Sequence, residues 1–182
     1  FRFTPMQTSF GCNMLALNGG RPEQLTLRTF LTNFIAFREE VVARRTAFEL
    51  RKARERSHIL CGLAVTVSNV DEIVATIRAS SDAAEAREKL MQRSWPANEI
   101  REYIALIDDP THKINDDGSY NLSEAQVRAI LELRLQRLTQ IGVKEVTDEL
   151  EALSFKIKDY LEILASRSKI MSIIAGELNE VK

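Results

Sequence analysis

Residues 143–181 read VKEVTDELEALSFKIKDYLEILASRSKIMSIIAGELNEV, and this stretch decides the fold class. Apolar residues return in alternating steps of three and four: Val143, Val146, Leu150, Leu153, Ile157, Tyr160, Leu164, Met171, Ile174, Leu178 and Val181. Arg167 is the single charged residue on that stripe. A 3.5-residue repeat keeps one face of a helix against a partner helix along its whole length, so the stretch predicts one long coiled-coil helix. At 1.5 Å per residue it would reach on the order of 60 Å, more than a compact core covers. The helix reads as an arm, and the rest of the chain must supply what it lies against.

A matching arm lies upstream. From Leu25 the period becomes helical through Leu27, Phe30, Leu31, Phe34, Ile35 and Phe37, and it runs to about Asn69. Seven basic and four acidic residues lie between Arg38 and Arg56. Glu40–Arg44, Arg45–Glu49 and Arg51–Glu55 are opposite charges four apart, modest support for an exposed helix. Through this block runs a thin heptad seam of mostly small residues: Ala43, Thr46, Leu50, Ala53, Ser57, Leu60, Ala64 and Val67. Small side chains admit close approach of the bulky stripe, so the two long helices are expected to pair, and chain direction makes the pair antiparallel. The seam residues expected at the contact are Leu50 and Leu60 against Leu150, Leu153, Ile157 and Leu164.

The fold class that follows is mainly α: a long antiparallel coiled coil carrying a distal globular helical knob, with a small β-hairpin at the N-terminus. Four segments are expected. Residues 1–25 form the hairpin, because Thr8 to Leu17 is strand-compatible and Asn18-Gly19-Gly20 tolerates the positive φ of a tight turn before Arg21-Pro22 leads back. Residues 26–69 are the first arm, 70–141 the knob, and 142–182 the returning helix. Inside the knob the breaks at Ser80-Ser81-Asp82 and Ser94-Trp95-Pro96 divide helices over Val70–Ala79, Asp82–Arg93 and Ala97–Ile107. Asp109-Pro110 to Asn121 reads as a polar loop.

The last knob helix, Ser123–Thr139, opens on a Ser123/Gln126 capping-box pattern. Val127, Leu131, Leu135 and Leu138 line one of its faces, with Ile130 and Leu133 on another. Two apolar faces on so short a helix call for a further partner, and a second copy of the chain is the economical one. Val127, Ile130, Leu131, Leu133, Arg134 and Arg137 are the expected dimer contacts.

Composition narrows the function classes. A net charge of −1 offers no global field for nucleic acid or membrane, so any charged partner must be met locally. Cys12 and Cys61 form no disulfide framework, which fits a reducing compartment. The longest apolar run, Ile59 to Val67, is too short to span a bilayer and no signal sequence precedes it, so the cytoplasm is the expected location. A chain opening on Phe1 and ending in mid-heptad reads as a piece of something larger.

No catalytic constellation stands out. His58 and Cys61, three apart on a helix, lack further ligands nearby and read as a packed histidine and a buried thiol rather than a metal site. His112 reads as solvated. Gly19-Gly20 is turn geometry rather than a phosphate loop, and Asp116-Asp117-Gly118 lacks the ligand spacing of a calcium loop. The charged block reads as a solvated arm, because its signs are interleaved. No catalytic, cofactor or metal residue is expected.

The stretch Arg44-Arg45-Thr46-Ala47-Phe48-Glu49-Leu50-Arg51-Lys52-Ala53-Arg54-Glu55-Arg56-Ser57-His58-Ile59-Leu60 closely resembles the coiled-coil region of the DNA gyrase A-subunit family, the breakage–reunion subunits of bacterial type IIA topoisomerases. Tyr120-Asn121-Leu122-Ser123-Glu124-Ala125-Gln126, with Ile130-Leu131-Glu132-Leu133-Arg134-Leu135-Gln136-Arg137-Leu138-Thr139, is similar to a second signature of that family, and Gln7 to Leu17 resembles the strand ending its tower domain. The resemblance implies that the two knobs of a homodimer meet as the exit gate, or C-gate, for a transported DNA duplex in ATP-dependent supercoiling. It makes the arms walls of the DNA cavity, and residues 1–25 the end of the tower domain. It also implies a partner, the B subunit of DNA gyrase, which carries the ATP and Mg sites. The family's nucleophilic tyrosine follows an arginine and precedes a threonine; Tyr103, Tyr120 and Tyr160 have no such context, so this stretch alone is expected to be inactive. Cys61 and Gly62 stand where the family usually has an acidic residue. The A subunit of topoisomerase IV is the near alternative, with a knob that tends to be shorter than the insert from Pro96 to Tyr120. An unrelated coiled-coil scaffold is the alternative from another class.

Overall fold

The structure is a computed structural model, and it describes residues 3–97, 100–107, 114–115, 118–133 and 143–181. It falls into two compact units, Phe1–Arg45 with Arg167–Lys182, and Thr46–Ser166. The fold is mainly helical, as expected. The first long helix, α1 (Leu27–Ser68), starts where Thr26 Oγ1 accepts the Thr29 amide at 3.3 Å, a cap that satisfies one of the free donors at a helix start.

The unit Thr46–Ser166 holds the larger core. After α1 come α2 (Val70–Arg78), α3 (Ala83–Gln92), β3 (Ser94–Pro96), α4 (Arg101–Ile107), β4 (Ser119–Asn121), α5 (Glu124–Glu132) and α6 (Val143–Ala165). Asp82 caps α3 by accepting the Glu85 amide at 2.7 Å, and the Glu85 carboxylate in return accepts from the Ser81 amide at 2.6 Å. Leu60, Cys61, Ala64 and Val65 of α1 meet Ile73, Leu90, Trp95, Ile100, Tyr120, Val127, Ile130, Val146 and Leu150 in one cluster. Burying each large side chain of that cluster is worth about 1.5–3 kcal/mol.

Ser94-Trp95-Pro96 is more than the helix break expected. It is strand β3, paired antiparallel to β4 with Trp95 opposite Tyr120, and both rings are buried. The indole N–H donates to the Leu90 carbonyl at 3.1 Å, and the Arg93 guanidinium covers the ring at 4.6 Å. A three-residue strand has too little alternation to announce itself in sequence; only the cross-strand partner defines it.

The seam is antiparallel within this unit. Leu50 and Ala53 cluster with Ile157, Glu49 hydrogen-bonds Tyr160, and Arg56 holds Glu149 at 2.8 Å. Rising numbers on α1 thus meet falling numbers on α6. Thr46, Leu50, Ala53, Ser57, Leu60 and Ala64 are all buried, while Leu153, Tyr160 and Leu164 are half-buried against them.

In the unit of Phe1–Arg45 with Arg167–Lys182, β1 (Leu15–Asn18) pairs with β2 (Arg21–Gln24) around Gly19 and Gly20, whose φ of 56° and 81° suit a two-residue hairpin turn. The first strand is shorter than Thr8–Leu17 suggested: it starts at Leu15, extended only by the Met14 carbonyl, which accepts the Leu25 amide at 2.8 Å. The final helix, α7 (Arg167–Glu180), brings a correction: residues 143–181 are two helices, broken at Ser166. A break resets the helical phase, so the heptad stops predicting burial beyond it. Ile174 is buried, whereas Arg167, Met171, Leu178 and Val181 are exposed. Arg167 leaves the stripe to pair with Glu39 through two hydrogen bonds, of 3.0 and 2.8 Å. Arg45, expected to pair with Glu49, instead reaches Glu177 at 2.5 Å, beside Arg38, which pairs with the same carboxylate.

Candidate functional site

The region to which sequence reasoning assigned the functional contact is α5 and its seat on α1. Ser123 caps α5: its Oγ accepts the Gln126 amide at 3.2 Å, and Gln126 Oε1 accepts the Ser123 amide at 2.9 Å, which completes the expected capping box. Gln126 also does something that a capping glutamine need not do. It is fully buried, and its Nε2 donates to the His58 carbonyl of α1 at 2.6 Å and to the Tyr120 hydroxyl at 2.9 Å. His58 Nε2 and Ser123 Oγ add a further contact at 2.7 Å.

The close approach depends on Gly62. A Cβ built there would lie 2.7 Å from both Cβ and Cγ of Gln126, so α5 can seat on this turn of α1 only because the glycine has no side chain. Beside it Cys61 is buried, and burial pushes its thiol up to about 12, which makes it inert. Among the described residues no group of His, Cys, Asp and Glu could hold a metal ion.

α5 ends at Glu132, with Leu133 extended at φ −72° and ψ 133°, and the part of the expected helix from Arg134 to Thr139 lies outside the described residues. Val127 and Ile130 are each 0% exposed, both belonging to the core of the unit. Helical spacing puts them on different faces, but a helix that sits in a cleft buries more than one stripe, so within one chain both side chains are already covered. Leu131 and Leu133 are half-buried, Leu131 packing on the core. Arg134 and Arg137 lie outside the described residues, as do Leu135, Leu138, His112 and Asp116-Asp117. The sequence missed Gly62 and Trp95 as anchors of this seat. A glycine in the middle of a strong helical pattern was the available signal.

The family of A subunits of DNA gyrase and topoisomerase IV matches residues 1–179. The chain belongs to that family. It is 44% identical over 182 residues to the DNA gyrase A subunit of Granulibacter bethesdensis, a match covering 100% of this chain and 19% of that protein. The DNA gyrase A subunit of Haemophilus influenzae is 46% identical over 187 residues, 100% of this chain and 21% of its own length. That of Neisseria gonorrhoeae is 39% identical over 192 residues, with the same coverage of 100% and 21%. The chain thus spans about a fifth of the length of the curated relatives it matches. The stretch that first resembled this family, Arg44–Leu60, lies wholly within α1 and supplies its small-residue seam and His58. The second, Tyr120–Gln126, supplies the capping box and the buried glutamine.

Proposed function

We propose that this chain is the C-gate and dimerisation module of a DNA gyrase A subunit: two copies meet through the knob, and the contact opens to release a transported DNA duplex. The observation that carries this reading is that the heptad seam is consumed within one chain. Leu50, Ala53 and Ile157 bury one another, with Leu153, Tyr160 and Leu164 packed against them, so this part of the stripe is taken up inside the chain, where an unrelated scaffold would need it for a second coiled coil. The remaining apolar residues near the end of α5 are Leu131 and Leu133, followed in sequence by Arg134 and Arg137. A gate must separate without unfolding the chains that form it. The buried Gln126 bonds and the Gly62 contact suit that demand, because they tie α5 to its own arm and leave the contact between copies to other groups.

On this reading the B subunit of DNA gyrase is the further partner and carries ATP and Mg, and the working location is the cytoplasm. Among the described residues no single helix is long and apolar enough to cross a membrane. The chain alone should not cleave DNA. Tyr120 is buried against Gln126 and Tyr160 is hydrogen-bonded to Glu49, so neither hydroxyl is presented as a nucleophile. The near alternative within the family is the A subunit of topoisomerase IV.

Sedimentation equilibrium of the chain beside Leu133→Asp, with circular dichroism on both, tests the gate. A helical dimer that becomes a helical monomer is the expected result, because a carboxylate cannot be buried unpaired at a contact. A dimer untouched by Leu133→Asp but dissociated by Leu153→Asp would refute the knob contact in favour of a seam between chains.

A further inference from the structure

A second feature of the unit Thr46–Ser166 has no part in the gate. Ala47, Leu50, Arg51, Arg54, Glu55, His58 and Ile59 of α1, together with Ala125 of α5, line a groove of about 440 Å³. That volume is in the range of small-molecule sites, roughly 300–1,000 Å³. Its apolar lining is Leu50, Ile59 and the two alanines. Its polar groups are few and unbalanced. The Nε of Arg54 is buried and, among the described residues, has no hydrogen-bond partner. A buried donor left unmade costs about 1–3 kcal/mol, so Arg54 is the lining residue with unmet hydrogen-bonding capacity. Arg38 Nε is buried in the same way, but its guanidinium is already paired with Glu177. Arg51, an exposed lining residue, lies 5.5 Å over the Phe48 ring, an interaction that consumes none of its N–H donors.

The charges choose the ligand. Arg51 and Arg54 against Glu55 leave one positive charge in excess, which matches a monoanion; a dianion would meet Glu55. A guanidinium and a carboxylate share planar, two-point geometry. The adjoining depression lined by His58, Ser123, Glu124, Arg128, Ala129 and Glu132 offers no such excess, because Arg128 is paired with Glu132 and Glu124 with Arg87, each at 3.0 Å. We infer that the α1–α5 groove binds a small amphipathic monocarboxylate, with its carboxylate on Arg54 and Arg51 and its apolar body on Leu50, Ile59 and Ala125.

The test is NMR titration of the full 182-residue chain with 2-naphthoate, and in parallel with the uncharged 2-naphthalenemethanol. The Arg54 Nε–H resonance, assigned by its loss in Arg54→Lys, should shift saturably together with the amides around Leu50, Ile59 and Ala125. Arg54→Gln and the uncharged analogue should each bind about tenfold more weakly, the size of one charge-assisted hydrogen bond. Ala125→Trp should fill the groove and abolish binding while leaving Arg54 in place. Unchanged affinity in Arg54→Gln, equal binding of the alcohol, or shifts confined to residues outside the groove would each overturn the assignment.

Discussion

Gly62→Ala is the sharpest probe of how α5 is seated. The added methyl would lie 2.7 Å from Cβ and Cγ of Gln126 and 3.0 Å from its Cδ. Cβ is fixed by the α5 backbone, so the side chain cannot simply swing away and the helix itself must move. Overpacking of this kind costs about 1–3 kcal/mol. Displacing Gln126 also disturbs its bonds to the His58 carbonyl at 2.6 Å and from the Ser123 amide at 2.9 Å, each worth about 1 kcal/mol. Against this stands a gain of about 1 kcal/mol from replacing glycine with alanine in a helix. The net is a loss of about 3 kcal/mol, which moves a urea midpoint by about 1.5 M. The single tryptophan, Trp95, is buried in the same core, so its fluorescence in urea reads this unit directly. Gly176→Ala is the control, because a Cβ at Gly176 meets nothing within 4 Å in α7 and should keep the helical gain. If Gly62→Ala matches wild type or is stabilised as Gly176→Ala is, the close packing of α5 on α1 is wrong.

Ile157→Ala should cost about 3 kcal/mol in urea unfolding, because Ile157 is buried against Leu50 and Ala53, whereas Leu178→Ala, at an exposed heptad position, should stay within about 0.5 kcal/mol of wild type. Equal effects would mean that the seam does not stop at the Ser166 break. With a chromogenic disulfide the native chain should yield only the exposed Cys12, and the buried Cys61 should react after denaturation; rapid native reaction of both thiols would contradict the core. The Lys89 ammonium, then the Ser81 amide and hydroxyl, hold the Glu85 carboxyl at about 2 against an ordinary 4.5. The folded form thus binds fewer protons between those values, so this contribution to stability is present above 4.5 and is lost as pH falls through about 2. Carboxyl carbon NMR should show Glu85 titrating near 2, and Lys89→Met should raise that midpoint; an ordinary midpoint in the wild type would remove the α3 cap network.

Local chemistry and periodicity determined much of this protein. The seam from Thr46 to Ala64 and its stripe from Val146 to Leu164 were legible because an unbroken helix turns residue spacing directly into a face. The Gly19-Gly20 turn and the Ser123/Gln126 cap were legible because each depends on residues within three or four positions of one another. Tertiary structure alone decided the rest. Spacing could not say that α5 sits in a cleft, so Val127 and Ile130, read as two faces, share one core. It could not see that Trp95 finds Tyr120 across 25 residues of chain, or that Gly62 is empty so that Gln126 can approach. It carried the heptad past Ser166, where a break in the helix ends the phase on which the pattern relies. Periodicity states which residues of one helix look the same way. What they look at is set by helices and strands from elsewhere in the chain, and those arrive only with the fold.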